Sequence, residues 1–167
     1  HDQAAVHNLY NLLWSQSIYE GYLRNGHAQR PFILSRSGTS GSQRYGSAMW
    51  SGDISGLLTS LATHLNVQMH MSMSGVDYYG SDIGGFFRQG GLQEETYTQW
   101  FADGTALDVP VRPHTFNLDN FLETAPDRVG DFYSNLENLR QRYELAPYLY
   151  SLAHRAYQYG EAVFPPL

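Results

Sequence analysis

The chain has 167 residues, no cysteine and a net charge of −6, and all 10 of its basic residues are arginine. This excludes disulfides, thiolate metal sites and a cysteine nucleophile, and the scattered arginines form no basic stripe for nucleic acid. With 42% hydrophobic and 14% aromatic residues the chain can fold around a core, and no stretch reaches the ~18 apolar residues of a membrane span.

Taken in order, Val6, Leu9, Tyr10 and Leu13 recur at helical spacing and predict a helix running to about Arg24. The opening His1-Asp2-Gln3, without initiator methionine or leader, reads as cut from something longer. The run Pro31-Phe32-Ile33-Leu34-Ser35-Arg36 suits a buried strand. Ile54, Leu57, Leu58, Leu61 and Leu65 then share one helical face, with Asp53 placed where it could cap that helix. Residues 76–82 and 109–114 predict two further strands, separated by a weaker helix over residues 94 to about 106. A long helical pattern joins Phe132, Leu136, Leu139, Tyr143, Ala146, Tyr150, Ala153 and Tyr157, and Pro147 should kink or interrupt it. Ala162-Val163-Phe164 closes the chain as a last strand.

Strands alternating with helices imply an α/β fold with a parallel sheet. Four strands do not close a (β/α)8 barrel, so the missing half comes from upstream sequence or the sheet is smaller and open. Glycines gather at 38, 41 and 46 and again at 80, 84, 85, 90 and 91, after the strand candidates. They read as tight βα loops, because glycine tolerates close backbone approach. No G-x-G-x-x-G is present, which leaves a nucleotide phosphate site without support.

The strand candidates end in Arg36, Asp82 and His114, and in a barrel that end of the strands carries the active site. Asp53 follows Trp50-Ser51-Gly52 and has two opposed readings. As a helix cap its carboxylate form is favoured; as a general acid beside Trp50 in an enclosed site its protonated form is favoured. Asp82 stands in Gly80-Ser81-Asp82-Ile83-Gly84-Gly85-Phe86, where an Asx turn is the plain alternative to a site. Arg36, at the end of an apolar strand, needs a carboxylate partner, and Asp53 and Asp82 are the candidates. A single histidine such as His114 is more often structural than catalytic. No G-x-S-x-G supports a serine hydrolase and no H-E-x-x-H supports a metal site, so neither a metal nor any other cofactor is implied.

Together, Ser35-Arg36-Ser37-Gly38, Trp50-Ser51-Gly52-Asp53, the Gly80–Phe86 loop and Arg112-Pro113-His114 resemble glycoside hydrolase family 31, which includes α-glucosidases and α-xylosidases. The similarity runs in order from His7-Asn8-Leu9-Tyr10 to Pro166-Leu167. It implies a catalytic (β/α)8 barrel of which this chain is roughly the C-terminal half. It also implies a retaining, exo-acting α-glycosidase in which Asp53 is the general acid/base and Arg36 holds charge in the reacting subsite. Trp50 and Phe86 would line that subsite, and Asp82, Arg112 and His114 would bind the sugar. The implied partner is an α-linked oligosaccharide or glycoside, together with the remaining part of the barrel. The attacking aspartate of the family lies on a strand before His1, so residues 1–167 alone are expected not to hydrolyse an aryl α-glucoside. Phe164-Pro165-Pro166-Leu167 departs from relatives that carry a basic residue before the Pro-Leu. Two other readings fit the same residues: a noncatalytic carbohydrate-binding remnant, and a transglycosylase or lyase on the same scaffold.

Overall fold

The computed structural model describes residues 2–88, 94–117 and 122–165, so Gly90, Gly91 and the terminal Pro166-Leu167 lie outside the described residues. A short helix α1 (Gln3–Val6) and a 3-10 turn (His7–Leu9) lead into α2 (Tyr10–Arg24). Then follow β1 (Ile33–Ser35), β2 (Ser47–Trp50), α3 (Leu58–Met73), β3 (Tyr79–Gly80), α4 (Glu94–Leu107) and α5 (Phe132–Tyr159). The strands form one parallel sheet in the order β1-β2-β3, with Ile33 opposite Ser47 and Trp50 opposite Gly80. Parallel strands joined by helices are the expected α/β unit, and all three point the same way toward Arg36, Trp50 and Asp82.

Five elements differ from the sequence reading. Strand β2 was not foreseen: Ser47 and Ala48 are small and lack the β-branched signature, yet Ser47, Ala48 and Met49 are buried. Their smallness lets α2 come close, with the Ser47 hydroxyl donating to Ser15 Oγ at 2.9 Å. The run 109–114 is no strand; only Arg112 bridges in parallel to Asp82. Pro110 and Pro113 bring no N–H to a ladder, which limits pairing to that point. Residues 162–164 are not a strand either. The Val163 N–H donates to Asp77 Oδ1 (2.8 Å) and the Phe164 N–H to Ser72 Oγ (3.1 Å), so side chains take the place of a partner strand.

Helix α3 starts at Leu58, not beside Asp53, with Leu57 in the capping position. The backbone before it is committed elsewhere: Ile54 O accepts from the Phe86 and Phe87 N–H groups, and the Gly56 N–H donates to Phe87 O. Leu57, Leu58 and Leu65 are exposed, while the buried face of α3 is His64, Gln68 and Ser72. Of the kink or interruption expected in α5, the interruption does not occur. The helix continues through Pro147, which lies exposed, where the carbonyl freed by the missing N–H can turn to water. Asp131 caps its start by accepting from the Ser134 N–H, and Gly160 ends it at φ 70°.

The main core gathers around α4 and the loop that follows β3. Ile83, Tyr97, Trp100, Phe101 and Val129 are buried together, with Ile54, Leu61 and Val111 packed against them. Met49, Val76 and Tyr79 form a smaller cluster with Met71.

Candidate active site at the strand ends

Arg36, Trp50 and Asp82 lie at or just beyond the C-terminal ends of the strands, Asp53 and Phe86 stand in the loops that follow, and Arg112 and His114 join them from the 109–114 segment through a short series of contacts. Arg36 directly follows β1 and reaches Asp53, with Nη1 3.3 Å from Oδ1. It chooses Asp53 over Asp82. Its guanidinium also lies over the Trp50 ring at 5.3 Å from the centroid, and the Arg112 guanidinium lies over the same ring at 4.5 Å. Trp50 ends β2, so its indole sits between two cations. Arg112 Nη1 is in turn 3.1 Å from Asp82 Oδ1. His114 packs on Phe86 at 5.6 Å between centroids, and its ring bears on the Asp82 carboxyl electrostatically.

Local backbone geometry explains why these side chains meet. Gly52 holds φ 79°, and a Cβ there would come within 3.2 Å of Arg36 Nε, so glycine both makes the turn and leaves room for the Arg36–Asp53 pair. The Ser51 N–H donates to Gly80 O and the Ile83 N–H to Arg112 O, which ties the three loops edge to edge. Gly85, at φ 79°, lies directly against the Gly56 backbone with no space for a side chain. The loop bearing Asp53 and the loop bearing Asp82 are thereby locked together, and Phe86 is anchored by its N–H on Ile54 O.

The two carboxylates have different surroundings. The Asp53 side chain keeps 27% of its surface exposed, while that of Asp82 keeps none. Burial pushes the Asp82 carboxyl up, opposed by Arg112, His114 and Trp50, while the nearby Asp53 charge adds to the rise. The opposition is incomplete in geometry. Among the described residues, Asp82 Oδ1 and Oδ2, Trp50 Nε1 and Arg112 Nη1 have no aligned hydrogen-bond partner, although the guanidinium and carboxylate are at ion-pair distance. Two acceptors and two donors thus face one another beside Asp53, the Arg112–Asp82 ion pair at 3.1 Å and the Trp50 contact with Asp82 both lacking well-aligned hydrogen-bond geometry. A cavity of about 370 Å³ between α3 and the sheet is lined by Ser51, Ile54, Thr63, His64 and Tyr79, and none of the seven expected site residues lines it.

A second polar cluster was not foreseen. His64 Nε2 and Gln68 Nε2 each lie 3.0 Å from Asp108 Oδ1, and the Ser81 N–H donates to Asp108 Oδ2 at 3.0 Å. The signal for it was present as polar residues at i, i+4 and i+8 (His64, Gln68, Ser72) along a helix whose leucines drew attention instead. His64, Asp103 and Asp108 each offer an atom within 4.8 Å of the others, a spacing a cation could use. The Asp108 oxygens already accept from His64, Gln68 and Ser81, so the donors on the page suffice to explain that carboxylate.

Comparison with known proteins bears on the family and the fold. The model of the glycosyl hydrolases family 31 TIM-barrel domain matches residues 1–152. Neutral alpha-glucosidase C of Mus musculus is 35% identical over 97% of this chain, which covers 18% of that protein. Alpha-xylosidase of Saccharolobus solfataricus is 33% identical over 96% of the chain, covering 22% of its length. The Tris-bound glucosidase II alpha subunit superposes with a TM-score of 0.83 at 28% identity, over 96% of this chain and 17% of that one. The chain therefore spans about a fifth of the relatives it matches. With parallel strands, helical crossovers and polar residues gathered at the strand ends, it belongs to glycoside hydrolase family 31, as part of the α/β TIM barrel of that family.

Proposed function

We propose that residues 1–167 are part of the catalytic barrel of a retaining, exo-acting α-glycosidase and carry its acid/base and sugar-binding side chains. The observation that carries this reading is the buried Asp82–Arg112–Trp50 cluster, whose mutual contacts are poorly aligned, next to the Arg36–Asp53 pair. Carboxylate oxygens accept from hydroxyls, while indole and guanidinium N–H groups donate to them. Vicinal hydroxyls of a sugar do both at once and would complete all four atoms. The names of the relatives, α-glucosidase and α-xylosidase, point to an α-linked glycoside as substrate.

In this mechanism Asp82, Arg112 and His114 grip the hydroxyls of the nonreducing-end sugar, with Trp50 and Phe86 against its apolar face. Asp53 protonates the departing glycosidic oxygen. A second carboxylate, supplied by sequence outside these residues and ~5–5.5 Å from Asp53, attacks the anomeric carbon to give a covalent glycosyl-enzyme. Asp53 then removes a proton from the water that attacks that carbon and releases the sugar. Arg36 fixes the Asp53 carboxyl from one side, leaving its other oxygen for the leaving group.

The test is Asp53→Ala in the full-length chain that carries this segment. Turnover of maltose should fall ~10²–10⁴-fold, and an aryl α-glucoside with a good leaving group should lose much less in glycosyl transfer to the enzyme. Equal losses on both substrates remove Asp53 from the acid role. Sugar binding without turnover by the unmutated chain would favour a binding remnant, and unsaturated or transferred products a lyase or transglycosylase.

A further inference from the structure

Asp108 has no place among the groups around Trp50, yet it is among the most completely enclosed residues of the chain, at 0% exposure. It directly follows α4, and its N–H still donates to Gly104 O at 2.9 Å. Both carboxylate oxygens are used. Oδ1 takes Gln68 Nε2 and faces His64 Nε2, both from α3 and both at 3.0 Å. Oδ2 takes the Ser81 backbone N–H at 3.0 Å, with the Ser81 hydroxyl at 3.5 Å. That hydroxyl accepts from Trp100 Nε1 at 2.7 Å. The backbone carbonyl of Asp108 accepts from Arg142 Nη2 of α5 at 2.9 Å, and the next N–H, that of Val109, donates to Tyr79 O. Gln68 Nε2 also reaches Tyr79 O, at 3.3 Å. Three helices thus converge on the end of β3, and the residue they hold, Ser81, is the immediate neighbour of Asp82.

We infer that Asp108 is a positioning residue for sugar binding: by accepting the Ser81 N–H while clamped by α3, it sets the direction in which the Asp82 carboxylate leaves the strand. The inference rests on the reading of Asp82 as a sugar ligand. Its chemistry is specific to a carboxylate. The contacts with His64, Gln68 and Ser81 call for an acceptor at both oxygens, whereas an asparagine would turn its NH2 toward either the Ser81 N–H or the Gln68 amide. One donor would then face another at a fully buried position, and the strand end would shift.

The experiment is a double-mutant cycle in the full-length chain, read as KM and kcat on maltose and as calorimetric affinity for glucose, at a temperature where each variant is shown to be folded. Asp108→Asn should raise KM and weaken glucose binding roughly tenfold, a size typical of coupled neighbours, with kcat changed less. Added to Asp82→Asn it should cost nothing further, since Asp108 acts through Asp82. Losses that multiply, or an Asp108→Asn protein that is folded with unchanged KM and affinity, overturn the inference. Should Asp108→Asn not fold, Gln68→Met, which removes one donor and keeps side-chain length, decides by the same cycle with a smaller rise in KM. An unmutated chain that neither binds glucose nor turns over maltose fails the functional reading and this inference with it. A binding, active chain with additive losses fails this inference alone.

Discussion

Trp100 and Trp14 both sit on helices, and their surroundings could hardly differ more. Trp100, on α4, is 0% exposed, its ring in the core and its N–H on Ser81. Trp14, on α2, is 57% exposed and meets Tyr10 edge-on at 5.6 Å. The contrast extends to whole elements. Six residues of α4 are buried, against Ser15 alone in α2 and Asn135 alone in the 28 residues of α5. The region of β3, α3 and α4 is a packed unit that holds the site rigid. The flanks are amphipathic helices and an edge strand with apolar residues such as Leu13, Phe32 and Tyr157 facing outward. Such faces are what a segment of a barrel presents where the rest of the barrel covers it. Asp82 leaves the packed unit directly, whereas its neighbour pair Arg36–Asp53 reaches it from the ends of β1 and β2.

The largest expected difference tests that division directly. In the 167-residue chain, Trp100→Ala should cost about 3–5 kcal/mol, the range for emptying a filled aromatic site, and Trp14→Ala less than ~0.5 kcal/mol. Urea unfolding followed by circular dichroism reads both, and equal costs would erase the distinction between core and flank.

A smaller effect comes from the charge enclosed in the packed unit. Burial, with the Asp108 charge adding and His64 opposing, pushes the Asp103 carboxyl from 3.8 up to about 6. Between those values the folded state binds a proton that the unfolded chain has released, so stability falls as pH rises through the window. The full contribution is present below the lower value and gone above the upper one, a loss of up to about 3 kcal/mol before solvent screening reduces it. Asp103→Asn should therefore stabilise the chain at pH 7 and have little effect at pH 4. A gain of equal size at both values would mean that the carboxyl titrates no differently folded than unfolded.

The same division explains how much could be read from the residues alone. The α/β class and the helices ending at Arg24 and starting at Glu94 and Phe132 were legible from periodicity, whereas the seven candidate site residues took their roles from the family resemblance, since a glycine-flanked Asp or a single His announces no role by itself. The boundary of α3 was not legible. Backbone hydrogen bonds from residues 54–56 to 86–87 are long-range, and no local pattern announces them. The apolar stripe of α3 was misleading for a related reason: periodicity shows which residues share a face, not which face is covered. In this helix the covered face is His64, Gln68 and Ser72, buried because Asp108, Tyr79 and Asp77 supply their partners from elsewhere. Strand β2 escaped notice because Ser47 and Ala48 are small and carry little strand propensity, while Ser47 meets Ser15 of α2. The 109–114 and 162–164 segments were overread as strands, since apolar runs were weighed above the prolines and the side-chain acceptors that take up their N–H groups.

The smallest effect on stability should come with the clearest effect on association. If the outer face of α2 is a surface made to be covered, its apolar groups contribute little to the isolated chain and much to whatever it touches. Tyr10, Leu13 and Trp14 are more than half exposed, and Leu9 nearly so, on consecutive turns beside the edge strand β1. An unpaired strand edge next to an apolar helix face favours self-association. The 167-residue chain should therefore sediment as dimers or larger species with rising concentration. Replacing Leu13 and Trp14 together by serine and glutamine should shift it toward monomer while moving the urea midpoint little. A chain that is monomeric at every concentration, or a double variant that unfolds far more readily, would show that α2 already belongs to the packed unit and that the flank is narrower than the burial pattern implies.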